Sequence, residues 1–569
     1  MPPVVFARAF SILARVASAR SLSDTAATSP ARHAIPINPS TQLLTMKSKN
    51  TPIPFTCRQR LRAPVRRLRG LHVAMLAGAL SLAASGPLAA KTWRAAVVDG
   101  DWDDTASWVG GTVPGDSGNV ADNADFNYNG TYPAVTVNLN IPDATATLLR
   151  VGLGQSVEFN IGTGGGLTLG SISRVGDTAV AYGSGPGILT VNGPATGSGT
   201  LNFRELFVQN GSSAIFSGSN LKVAATSNIT LGNIGNDNIL TVTGGAELAA
   251  AGIGFGHASN GLGTKGNQVK VEADSTLKLT SGGATIGSAA NHRSNSLTVS
   301  GLNAVLEVQA GALNIGNGTA TNFGGNAVEI SLGGLVRTGS ATQINGYAFN
   351  GGDHDGANRL VIAAGGSFTS SSTITNHGLL QLAEGGVLEG KTIAGDATAL
   401  TVAVEDGARF EAAGSGLGST VTTHVASGGR FAVGLEGATT ASQLTLDSGL
   451  QFSAGSALEL SLFEDGSMDA IHFLNNASLT GEVNLVLDQS APVAGSWVVF
   501  TGDTSRINAL FHLDALNPAI WDTSRFNEDG GWQLAVIPEP SLVALLTAAG
   551  LCLAGDRLRR RRRVSGNAA

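Results

Sequence analysis

The chain has 569 residues, including 77 Gly; 13% are charged, 5% aromatic and 42% apolar. It is too long for one ordinary domain and too apolar for a disordered linker, and its glycines follow no collagen triplet. A formal charge of −6 conceals a body, residues 91–540, with 17 basic and 39 acidic side chains, a net of −22; it repels nucleic-acid backbones, and no nucleic-acid partner is expected.

In chain order, the first predicted element is an export signal. Arg58, Arg60, Arg62, Arg66, Arg67 and Arg69 precede an apolar run from Leu71 to about Leu82. Ser85-Gly86-Pro87 breaks it, and small residues ending at Ala89 and Ala90 offer a cleavage site. Basic, apolar and small-residue regions in that order make a secretory signal, with an apolar run too short to span a bilayer. The signal starts so far into the chain that Met46 is the expected initiator, with 1–90 read as over-called start plus signal. Cys57 and Cys552 are the two cysteines, so the body holds no disulfide, thiolate metal site or Cys nucleophile.

Residues 91–147 form a Trp-rich module around Trp93, Trp102, Trp108 and Phe126, suited to shielding the first coil of a repeat array. Asp99, Asp101 and Asp103 alternate there, the spacing of a calcium chelate, although the EF-hand pattern fails because Asp104 stands where Gly is needed. A solvated acidic turn is the competing reading. No cofactor is otherwise implied.

Residues 148–431 repeat. Asn238, Asn267, Asn295, Asn326 and Asn358 each open a short alternating strand, at spacings of 29, 28, 31 and 32 residues. Weaker copies begin near Gly187 and Ser213, and an Ile-Gly or Ile-Asn pair at Ile253, Ile286, Ile315 and Ile344 closes most units. Apolar residues alternate within each unit, so each holds two or three strands with one buried face. A period near 30 without helix suits a solenoid; a propeller needs about 40 and an aromatic signature. These units resemble the autotransporter-associated β-strand repeats of passenger-like surface proteins. Residues 432–536 alternate in their own way and read as a C-terminal β cap.

Chemistry is sparse. His257, His292, His354 and His377 fall in repeat turns and read as exposed turn histidines. The basic residues between 205 and 400, Arg337, Arg359 and Lys391 among them, show no recurring pairing with acids. No phosphate loop, zinc motif or nucleophile elbow is present.

The tail, 537–563, reads Pro538-Glu539-Pro540, an apolar run over 541–555 with Leu542, Leu545, Leu546 and Leu551, then Arg557, Arg559, Arg560, Arg561, Arg562 and Arg563. The prolines bar helix before the run, and the arginines stay cytoplasmic, leaving 564–569 as a cytoplasmic end. Proline pair, short apolar helix and arginine cluster resemble the PEP-CTERM sorting signal. That resemblance implies a Gram-negative envelope, passage through the Sec translocon, anchoring in the inner membrane, and cleavage by an exosortase before release to the surface.

The expected architecture is therefore all-β: a right-handed parallel β-helix with β caps at both ends, a signal helix before it and a transmembrane helix after it. The expected function is an exported cell-surface or extracellular-matrix structural protein, with no catalytic residues and with exopolysaccharide as a candidate partner. The alternatives are a polysaccharide lyase or hydrolase on a β-helix, and a glycan-binding adhesin.

Overall fold

In Ile239–Thr243, Leu240 and Val242 point inward and are fully buried while their neighbours are half-exposed, the period-two signature of a strand with one wet face. Lone strands of this length are not stable, and here each is completed by the next coil. Ile239–Thr243 pairs in parallel with Gln268–Val271, which pairs with Ser296–Ser300, then Ala327–Ser331, then Arg359–Ile362. Stacking places Leu240, Val269, Leu297, Val328 and Leu360 in one buried column. Each such side chain gains about 1.5–3 kcal/mol from burial that no single coil could supply.

The computed structural model describes residues 90–115, 122–126, 133–176, 185–256, 264–287, 292–316, 324–345, 357–489, 495–537, 549–557 and 559. Over these the chain is a parallel β-solenoid whose coils carry three strands, on faces termed I, II and III. The strands just given lie on face I. Face II includes Val305–Val308, Leu335–Thr338, Ser367–Ser370 and Val387–Gly390. Face III includes Leu313–Ile315, Thr342–Ile344 and Ile374–Asn376. Thr276–Ile286 serves faces II and III in turn, bending where its pairing with Glu247–Phe255 shifts register. Faces I and II meet at tight turns, whereas connections from face III to face I vary in length.

The sequence spacing is the coil itself. Hydrogen-bonded partners on face I, Ile239 with Gln268 and onward to Arg359, are separated by the predicted 29, 28, 31 and 32 residues. The weaker copies also align, Ser213 pairing with Ile188 on one side and Ile239 on the other. One landmark is misplaced: Ile253 pairs with Ala284, so Phe255 rather than Ile253 is equivalent to Ile286, Ile315 and Ile344. An Ile-Gly pair two residues early masked the true Phe255-Gly256 closure.

Parallel pairing extends beyond 148–431 in both directions. Ala90–Thr92 pairs with Asn123–Phe126 and Asp99–Asp101 with Val135–Leu139, so the Trp-rich module is wound into the stack. At the other end Gly449–Leu462, Ser478–Gln489 and Ile507–His512 continue it. A small antiparallel sheet of Ser496–Val498, Gln533–Val536 and Trp521–Asp522 follows. Aromatic residues gather at the two ends. Trp93, Trp102 and Trp108 are wholly buried and pack edge to face, with Trp108 centroids 5.0 and 5.1 Å from the other two. Phe500 sits 5.5–5.7 Å from Phe511, Phe526 and Trp532. Large rings are what an end coil needs, since it has a neighbour on one side only.

Among the described residues no helix is long and apolar enough to cross a membrane. Residues 549–557 are helical and exposed, while 541–548 of the expected span lie outside the description.

Candidate functional site

Three settings of polar side chains stand out among the described residues. The first is inside the wall. Asn238, Asn267, Asn295, Asn326 and Asn358 stack as a buried amide ladder, each Nδ2 donating to the Oδ1 of the next at 2.7–2.9 Å. Each Oδ1 from Asn267 onward also accepts the backbone N–H of the preceding rung at 3.1–3.2 Å. The ladder ends at Asn358, whose Nδ2 donates to the Asn345 carbonyl at 2.7 Å, because the next coil presents Gly378. Gly287, at φ +82°, explains part of the closing landmark: a Cβ there would come within 2.7 Å of the Asn326 amide.

The second setting is a charged network on face I. Arg409 Nε donates to Glu411 at 2.8 Å, and its Nη1 contacts Glu459, which also accepts from Arg430 at 2.7 Å. Gln381 Nε2 donates to Glu411 at 2.8 Å, and Glu411 is fully buried beneath the 434–442 segment, whose Glu436 N–H reaches it at 3.3 Å. Burial works to lower the Arg409 pKa, but Glu459, Glu411 and Glu436 outweigh it and raise it above its ordinary value. With both carboxylates engaged by guanidinium groups, this pair is built as a brace, not as an acid–base couple for glycoside hydrolysis. Nearby, Asp469 accepts the Ser442 and Ser461 N–H groups at 2.7 and 2.8 Å, and burial pushes its pKa up to about 6.

The third is a cleft on face II. Stacking aligns Lys278, Glu307, Arg337, Thr369 and Glu389 in one outward column. After Val387–Gly390 the chain leaves the face at Lys391 and makes a tight flap closed by pairing of Lys391 with Ala397. Within it the Thr392 N–H donates to Asp396 O at 2.8 Å and the Gly395 N–H to Thr392 O at 2.9 Å. The flap folds back across two coils, so that Ile393 Cδ1 lies 2.9 Å from where a Gly339 Cβ would stand. Beneath it is a cleft of about 350 Å³, floored by Gly333, Gly334 and Gly365 and lined by Arg337, Ser367, Thr369, Lys391 and Thr392. Lys391 contacts Glu389. Arg337 is half-buried and forms no ion pair among the described residues. Leu332, 71% exposed, stands beside the glycine floor.

The sequence-derived candidates fall elsewhere. Pro538, Glu539, Pro540, Leu542, Leu545, Leu546, Arg560, Arg561, Arg562, Arg563 and Ala89 lie outside the described residues, as do His257 and His354. Leu551, Arg557 and Arg559 are helical and exposed, and Ala90 opens the first strand. His377 is exposed as expected, but His292 is 2% exposed: its ring fills the space above Gly256, and its carbonyl accepts from Asn326 Nδ2 at 3.1 Å. Asp99 accepts from Asn138 at 3.1 Å, and Asp99, Asp101 and Asp103 are not assembled into a metal-binding group; none of three or more His, Cys, Asp or Glu exists among the described residues. Acid pairing absent from the linear pattern does occur across coils, Arg359 meeting Glu329 at 3.1 Å. The cleft was visible only as loose cations. Its signal is that Arg337 and Thr369 are one repeat of 32 residues apart.

No family model matches the sequence, and no curated protein is similar to it. Among solved structures, the crystal structure of a TibC-catalyzed hyper-glycosylated TibA fragment aligns at 14% identity, covering 66% of this chain and 99% of that one, with a TM-score of 0.23. A score that low carries no functional argument.

Proposed function

We propose that the protein is an exported cell-surface or extracellular-matrix structural protein, sorted by an exosortase through its C-terminal tail and without a reaction of its own. The observation carrying this reading is the Pro538-Glu539-Pro540, apolar and arginine sequence that follows a cysteine-free acidic body. A long parallel solenoid supports it, because such a body presents extended faces and its net of −22 keeps it dispersed. The Sec translocon and an exosortase are its partners in transit, and exopolysaccharide is its partner at the surface.

Mass spectrometry of extracellular material tests this. A C-terminus near Pro538–Pro540 is expected; an intact arginine tail, or protein found in the cytoplasm alone, defeats the sorting reading. Product release from a panel of acidic and neutral glycans would replace the scaffold by the polysaccharide-active alternative.

A further inference from the structure

We infer that the flap-covered cleft on face II binds a carboxylated sugar unit, such as the end of a short acidic oligosaccharide. The charges argue first. In a body of net −22, Arg337 from the face and Lys391 from the flap converge on one concavity. Glu389 engages Lys391, whereas Arg337 forms no ion pair among the described residues, its register neighbour Glu307 accepting from Gln309 instead. A planar guanidinium matches a carboxylate with two parallel hydrogen bonds.

The remaining lining fits a polyhydroxy ligand. Ser367, Thr369 and Thr392 supply hydroxyls that both donate and accept. A volume of about 350 Å³ suits one or two rings rather than a bare ion. The acidic body around the cleft opposes long polyanions, which favours short chains or chain ends. This inference stands apart from export and sorting, so it can fail while those hold.

Titration calorimetry on the full-length protein with a galacturonic acid trisaccharide, its neutral methyl ester and inorganic phosphate tests it. The trisaccharide is expected to saturate one site, with the ester and phosphate each about tenfold or more weaker. Arg337→Gln should weaken trisaccharide binding by about tenfold or more without moving the thermal unfolding midpoint, since Arg337 braces nothing. Equal binding of the ester would show that the carboxylate is not read, and equal binding of phosphate would reduce the cleft to a bare anion site. Undiminished binding by a folded Arg337→Gln protein would place the ligand elsewhere. Any of the three overturns the inference.

Discussion

The asparagine ladder from Asn238 to Asn358 and the Arg409 network solve one problem in two ways. Both keep polar groups out of water within a stack of aliphatic coils. The ladder uses neutral amides, so each rung is donor and acceptor at once and the pattern can be copied at every coil. The network uses charge and follows no coil period: Arg409 spans Glu411 on its own strand and Glu459 two strands away, with Arg430–Val433 between them. Repetition favours the neutral solution because a column of like charges would repel itself, whereas amide dipoles align. A charged brace suits a singular place, here the part of face I overlaid by the 434–442 segment.

The largest expected effect is therefore in the network. Arg409→Met removes the cation between two buried carboxylates and should cost about 3–5 kcal/mol, read as lost amide-exchange protection in 409–433. Replacing Arg409, Glu411 and Glu459 together by Met, Leu and Leu should return most of that stability, since a buried ion trio is costly to desolvate. If the triple variant stays as unstable as the single one, the network is a net stabiliser and the contrast with the ladder collapses. Next comes Asn295→Ala. It strips the acceptor from the Asn267 N–H and Nδ2 and the donor from Asn326 Oδ1, for a loss of about 2–4 kcal/mol. Exchange should rise in the adjacent coils and spare Arg409, because solenoid coils couple chiefly to their neighbours.

These two regions were not equally legible in the chain. Asn267, Asn295, Asn326 and Asn358 recur at the coil period, so the repeat announced them, although nothing in the sequence said that their amides bond to one another. Phe255 was missed as the equivalent of Ile286 because glycine follows both Ile253 and Phe255, and a degenerate pattern cannot choose between them. Arg409, Glu411 and Glu459 have no period. Their meeting depends on a short coil, Arg409 pairing with Arg430 only 21 residues on, and then on the 434–442 segment folding back. The cleft is harder still, since Ile393 reaches Gly339 across two coils. What repeats can be read from order along the chain; what closes across coils needs the register first.

Asp469 offers a smaller effect of opposite character, a charge the fold disfavours. Burial raises its pKa to about 6, above the unfolded value near 3.8. Between those values the folded protein holds a proton that the unfolded chain has released, so this stabilisation is full below about pH 4 and is lost as pH rises through 6. The swing is roughly 2–3 kcal/mol. Asp469→Asn should flatten unfolding free energy against pH over that window. The lowered pKa values of Asp465, Asp503 and Asp522, held down by Ser467, Ser505 and Ser524, act in the opposite sense below it. An unchanged slope in Asp469→Asn would mean that this carboxylate stays ionised in the fold.

The smallest effect separates a charge pair inside the wall from one on it. Glu329 and Arg359 meet at 3.1 Å across adjacent coils of face I, and unlike Arg409 and Glu459 both side chains remain partly in water. Neither paid a large desolvation cost on folding, and solvent screens what they gain. Glu329→Gln should therefore cost about 0.5 kcal/mol or less, and that little should vanish by 1 M salt, measured by urea unfolding at low and high ionic strength. Arg409→Met should keep most of its larger cost under the same salt, because its partners are shielded by protein. If salt erased both costs alike, burial would not be what distinguishes the network, and the 434–442 segment would have to be more open than its contact with Glu411 implies.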